Sequence, residues 1–258
     1  MNYDVATALS RGQRDYQEDA VIADFSVGAD FGFAVLGDGM GGHAAGDVAS
    51  KIVVTEVFAE LKFQSGAPEV FEGAVADMLL SAAETANAAI AAQVAEDSSL
   101  HGMGSTLVAP VIFKDRLYWI SIGDSPLYLY RDGTLRQINE DHSMGPQIDL
   151  MVKTGQLAPE LARDHPDRNL LRSVVMGARI SMIDCKPVPT KLLPGDTVIA
   201  ASDGIQYLTD EEIVQVLAET KAKSSDDTAR ALLAAVNELD DPEQDNVALV
   251  VVKLSSSG

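Results

Sequence analysis

Apolar positions fall in short runs whose spacing changes several times along the chain. Residues 3–9 alternate in part, residues 19–25 are rich in β-formers, and residues 31–36 are a compact apolar run. Each predicts a strand, and Gly37-Asp38-Gly39 is expected to stop the third. The spacing then becomes helical. Val48, Ala49, Ile52, Val53, Val57 and Leu61 recur with a 3.6-residue period, with Lys51, Glu56 and Glu60 between them. A second helix is expected from about Pro68, a residue suited to a first helical turn. Its apolar stripe is Phe71, Val75, Met78, Leu79, Ala82, Ala86, Ala89 and Ile90.

Strand patterns return at 106–113, 116–122 and 127–131, with a weaker one at 135–139 after the hairpin signal Asp132-Gly133. Residues 143–177 differ in texture. They hold Pro146, Pro159 and Pro166, mixed charge and short helical pieces, and read as an insertion on the domain surface. A strand at 198–201 follows. Thr209-x-x-Glu212 is a capping box opening a helix to about residue 218; a helix at 227–239 and an apolar strand at 247–254 complete the order. No internal repeat is visible. Strands and helices come in blocks instead of strict alternation, which predicts an α+β fold of antiparallel sheets with helices packed outside them.

With 258 residues, 47% of them hydrophobic, the chain can bury a sizeable core as a single domain. Its 39 acidic against 19 basic residues give a net charge of −20. Such a chain repels nucleic acid and suits cationic ligands. Cys185 is the only cysteine, which excludes an internal disulfide and a cysteine-based zinc site. Residues 1–11 lack the basic and apolar regions of a signal peptide, and no apolar run reaches the ~18 residues of a membrane span. The expectation is a cytoplasmic protein without a membrane or nucleic-acid partner.

Four aspartates sit where predicted strands begin or end: Asp38, Asp124, Asp203 and Asp245. In antiparallel sheets one strand's start lies beside its neighbour's end, so these carboxylates can share a rim. Gathered there, they would repel one another unless a cation sat among them, and all-oxygen donors favour Mg²⁺ or Mn²⁺. Each Asp alone is an ordinary turn residue. The densest signal is Gly37-Asp38-Gly39-Met40-Gly41-Gly42-His43, which implies backbone approaching something closely. It formally matches a dinucleotide-binding G-x-G-x-x-G. Asp38 would face the pyrophosphate, however, and a second helix follows where a parallel strand is required. Arg14 among Asp15, Glu18 and Asp19 reads either as a surface ion pair or as a phosphate fork.

Seven motifs occur in order: Arg14 with Glu18-Asp19, the 38–43 loop, Gly104-Ser105-Thr106, Gly123-Asp124-Ser125, Asp141-His142-Ser143, Ser202-Asp203-Gly204 and Asp245-Asn246. Together, over about residues 8–252, they resemble the metal-dependent serine/threonine protein phosphatases of the type 2C class in their bacterial form. The resemblance implies a four-layer α-β-β-α sandwich, with 143–177 as a flap beside the cleft. It implies that Asp38 bridges two ions, Mn²⁺ or Mg²⁺, and that Gly39 offers its carbonyl to the first. Asp203 and Asp245 bind the second, and Glu18 reaches the first through water. Asp124 with Asp203 marks a weaker third ion, and Asp19 and Asn246 support the ligands from behind. Arg14 grips the substrate phosphate and His43 is the candidate general acid. Metal-activated water then attacks phosphoserine or phosphothreonine in a phosphoprotein, without a covalent intermediate. The chain would act as a monomer in signal transduction opposite a serine/threonine kinase. The alternative is a catalytically weak or inactive relative used for binding or regulation. Such relatives lose metal aspartates, and all four are present here. Gln17 for Asn, Pro126 for Arg and Ser105 for Thr depart from the family's usual pattern. His142 reads as a structural link, and His101 and His165 as loop residues.

Overall fold

The β-branched runs become strands and the 3.6-period segments become helices. In the computed structural model, residues 1–26, 28–42, 44–64, 73–162 and 165–256 are described. The N-terminal half comprises β1 (Asn2–Ser10), β2 (Asp19–Phe25), β3 (Phe31–Met40), α1 (Ala44–Gln64) and α2 (Val75–Glu96). Then come β4 (Gly104–Ser105), β5 (Leu107–Phe113), β6 (Arg116–Ile122), β7 (Leu127–Arg131) and β8 (Thr134–Gln137). The flap region holds α3 (Gly145–Lys153) and α4 (Pro159–Ala162). The chain ends with β9 (Asp184–Cys185), β10 (Thr190–Lys191), β11 (Thr197–Ala201), α5 (Asp210–Glu219), α6 (Ser225–Glu238) and β12 (Val247–Ser255).

Two antiparallel sheets result, with orders β1-β12-β11-β7-β8 and β10-β6-β5-β3-β2; β4 pairs with β3 and β9 with β6. The inner core between them is built from Leu36, Val108, Ile112 and Trp119 on one side and Leu129, Val198, Val250 and Val252 on the other. The outer face of the second sheet takes the stripes of α1 and α2, with Val53, Val57, Leu79 and Ile90 against Phe33, Val35 and Ile120. The outer face of the first takes α5 and α6, with Ile213, Leu217, Leu232 and Val236 against Ile199, Leu249 and Val251. This is the expected α-β-β-α layering. Among the described residues no helix is long and apolar enough to cross a membrane.

Two boundaries differ from the sequence reading, and a third cannot be compared. The strand expected to stop at Leu36 continues to Met40, because Gly37 and Asp38 still pair with Ala20 and Asp19, and Gly39 and Met40 pair with Ser105 and Gly104. The glycines serve as ladder residues under close neighbours. The second helix is observed from Val75; the expected start at Pro68 and the stripe residue Phe71 lie outside the described residues. The helix expected at 227–239 begins at Ser225, because Ser224 and Asp227 form a second capping box beside the predicted Thr209–Glu212 one.

The 143–177 segment is stitched back onto the body. Met144 N–H donates to Leu170 O at 3.0 Å, Arg172 N–H to His142 O at 2.8 Å, and Val175 N–H to Ser105 O at 3.0 Å. Arg168 pairs with Asp149 at 2.8 Å within it.

Candidate functional site

Strand pairing puts the aspartates together. Asp19 opens β2 directly opposite Asp38 in β3. Asp203 follows Ser202 just past β11, and Asp245 lies two residues before β12, the strand that pairs with β11. Ser202 joins these ends. Its Oγ–H donates to Asp19 Oδ2 at 2.7 Å, and Oγ accepts from Ala248 N–H at 2.9 Å. Asn246 fastens the 11–18 loop by accepting from Glu18 N–H at 2.7 Å and donating to Arg11 O and Tyr16 O at 2.8 and 3.0 Å. Thr106 Oγ1 accepts from Asp38 N–H at 3.0 Å and shares a 2.7 Å hydrogen bond with Ser125 Oγ, beside Asp124.

The electrostatics are those of crowded, desolvated carboxyls. Burial, then Asp19, Asp203, Asp124 and Asp245, hold the Asp38 pKa well above the carboxylate range. Asp19 is pushed up to about 7, first by burial and then by Asp203 and Asp245, against the stabilising Ser202 hydrogen bond. Asp124 is also pushed up to about 7, by burial and by Asp203 and Asp141. Asp203 is raised by burial and Asp245. Asp38 is within hydrogen-bond contact of both Asp19 and Asp203, which two carboxylates reach only with a proton or a cation between them.

Among the described residues, no three or more His, Cys, Asp or Glu side chains already close around a metal-sized point. The donor set still suits a hard divalent cation. It is all oxygen, buried and mutually repelling, and a cation relieves the repulsion that protons relieve otherwise.

Arg14 lies at the edge of this cluster. Its Nη2 pairs with Asp245 Oδ2 at 2.6 Å, with side-chain exposures of 52% and 34%. The glycine loop also has a structural explanation. A Cβ on Gly39 would collide with the Gly46 and Glu18 carbonyl oxygens, and one on Gly41 would crowd Met103, so the close approach is to the protein's own backbone. The Glu18 carboxylate sits against Gly46 in the first turn of α1, where the helix dipole favours negative charge. His43 lies outside the described residues.

The profile of a family described as Protein phosphatase 2C matches residues 10–240. The chain belongs to this family. A serine/threonine protein phosphatase PstP of Mycobacterium tuberculosis is 36% identical over 195 residues, 74% of this chain and 35% of the relative. The match thus spans about a third of that relative's length. A serine/threonine phosphatase stp of Listeria welshimeri is 30% identical over 228 residues, 87% of this chain and 86% of the relative. The crystal structure of the PstP catalytic domain in complex with two manganese ions matches with a TM-score of 0.80 and 30% identity, covering 99% of both chains. The chain is a member of a family of serine/threonine protein phosphatases, and its two-sheet fold is that of the solved relatives.

Against this phosphatase background the departures find partners. Gln17 donates from Nε2 to Ser10 O and accepts at Oε1 from Asp19 N–H, both at 3.0 Å, so it holds the loop that presents Glu18 and Asp19. Pro126 O accepts from Ala201 N–H at 3.0 Å. Thr106 and Ser202 link distant strands, and nothing in the local sequence marks them for that role. His142 is buried, and that burial lowers its pKa. Cys185, pushed up to about 11 by burial, is not a poised nucleophile.

Proposed function

We propose that this chain hydrolyses phosphoserine and phosphothreonine in phosphoproteins at the rim where Asp38, Asp203, Asp245 and Asp124 meet. The carrying observation is the burial of mutually repelling carboxyls, Asp38 foremost, in a protein of this phosphatase family. Asp38, Gly39 and Glu18 would hold one divalent ion, Asp38, Asp203 and Asp245 a second, and Asp124 with Asp203 a weaker third; manganese in the PstP structure supports this reading. Such ions, manganese or magnesium, supply an activated water and offset charge on the phosphoryl oxygens. The rest is this chain's work. Asp19, through Ser202, and Asn246, through the 11–18 loop, hold the ligand-bearing segments in register. Arg14, exposed at the rim, binds the substrate phosphate. His43 delivers the proton that a serine or threonine alkoxide needs on leaving. The 143–177 segment serves as the flap of a single phosphatase domain. A phosphoprotein substrate places a serine/threonine kinase upstream of this reaction, and the reading is of a cytoplasmic monomer.

The test is phosphate release from a phosphothreonine peptide. Chelator-stripped protein is expected to be inactive and to recover with Mn²⁺ or Mg²⁺. Full turnover in protein verified metal-free by elemental analysis sinks the proposal.

Arg14→Ala is expected to raise KM for the phosphopeptide about 10-fold or more, the scale of one charge-assisted hydrogen bond, with a smaller change in kcat. Mn²⁺ titration by calorimetry should show affinity held or strengthened, because a competing cation at Asp245 is removed. An unchanged KM with weakened metal binding would assign Arg14 to Asp245 alone.

A further inference from the structure

Asp124 sits in a tight turn between β6 and β7, and the turn is clamped from two sides. On one side Thr106 packs so close to Gly123 that a Cβ there would lie 2.7 Å from its methyl group, and Thr106 Oγ1 meets Ser125 Oγ at 2.7 Å. Gly123 has φ +104°, a backbone state that a side chain would strain. On the other side stands His142, only 1% exposed. Its N–H donates to Gly123 O at 3.0 Å, and its Nδ1 accepts from Gly123 N–H at 3.3 Å. One residue therefore takes both backbone groups of Gly123, immediately before Asp124.

An imidazole that accepts at Nδ1 carries its proton on Nε2. That Nε2 is buried without a hydrogen-bond partner among the described residues, as are Ser121 Oγ and Asp184 Oδ1. Ser121 and Asp184 stand opposite each other in the β6–β9 pairing, and Asp184 is among the charges the imidazole senses. Asp184 is itself held by Trp119 Nε1–H at 2.9 Å and Glu140 N–H at 3.0 Å, with Lys186 Nζ 3.5 Å from Oδ1. The carbonyl of His142 accepts from Arg172 N–H at 2.8 Å, on the returning arm of the 143–177 segment.

We propose that His142 is a positioning residue for Asp124: its neutral Nε2–H imidazole fixes the Gly123-Asp124 turn, and its backbone ties that turn to the flap at Arg172. The role in turnover rests on the reading of Asp124 as a functional carboxylate; the ring geometry does not.

Four measurements test it. Histidine ¹⁵N NMR of the whole protein should show His142 with Nδ1 unprotonated and Nε2 protonated; the opposite tautomer overturns the proposal. His142→Leu, which removes the Nδ1 contact to Gly123 N–H, should lower kcat about 10–100-fold with little change in phosphopeptide KM, the usual cost of losing a group that orients a ligand. His142→Asn, whose amide oxygen reaches the place of Nδ1, should restore most of that loss. The double variant His142→Leu/Asp124→Ala should be no slower than Asp124→Ala alone, because the two act as one unit. Multiplying losses, or equal losses in the Leu and Asn variants alongside equally lowered melting temperatures, would make His142 a packing residue only. An Asp124→Ala protein with full turnover would overturn the role of Asp124 and this role of His142 with it, leaving the tautomer result standing as a structural fact.

Discussion

Asp38→Asn is expected to abolish turnover while leaving the protein folded and, without metal, no less stable. The backbone of residue 38 is held by Thr106 on both sides, through Asp38 N–H to Thr106 Oγ1 at 3.0 Å and Thr106 N–H to Asp38 O at 2.9 Å. The amide keeps the size of the carboxyl and these bonds. What it removes is the charge at the centre of the cluster, where burial and four neighbouring aspartates already disfavour ionisation. Turnover on a phosphothreonine peptide should fall by more than about 10²-fold, the scale of losing one group that stabilises a developing charge. Metal that raises the wild-type melting temperature by about 5–10 °C at saturation should raise that of the variant far less. A variant with wild-type turnover, or one with an undiminished metal-induced shift, would remove Asp38 from the metal-holding role.

The metal-free protein should lose stability as pH rises from about 5 to about 7.5, and divalent metal should reverse the trend. Asp19 and Asp124 carry folded-state pKa values of about 7 against the ordinary 3.8, and Asp38 and Asp203 are shifted in the same direction. Between those values the folded chain binds more protons than the unfolded one. Stability therefore falls with pH through this window, since its slope follows the protons bound in the unfolded state minus those in the folded state. Raised carboxyls thus contribute the opposite sign from a salt-bridged aspartate. Metal must displace these protons, so its stabilising effect should be larger at pH 7.5 than at pH 5. Thermal melts in chelator and in Mn²⁺ at both pH values measure this. The chelated slope should be shallower in Asp38→Asn, and a chelated wild-type melting temperature that rises over the window would contradict the electrostatic picture.

What the sequence determined by itself was local. The 3.6-residue stripe from Val48 to Leu61 and the β-branched runs of β5, β6 and β12 carry their secondary structure in their spacing, and burial follows that spacing. Thr209–Glu212 marks its helix start through bonds between residues three apart. Chemistry was legible as residue type and order, because acids and glycines in seven motifs are countable without coordinates. The end of β3 was not legible: glycine signals a turn locally, and only pairing with β2 and β4 keeps Gly37 to Met40 in the ladder. Nor was the partner of Arg14, 231 positions away at Asp245, nor the links made by Thr106 and Ser202. These contacts depend on which strand ends lie side by side. That is decided by pairings such as β1 with β12, which join residues 2–10 to 247–255, and by the shared inner core that holds the two sheets face to face. Periodicity reports the face a side chain presents to its neighbours within a few residues. It carries no register between distant strands, and the carboxyl cluster exists only once that register is made.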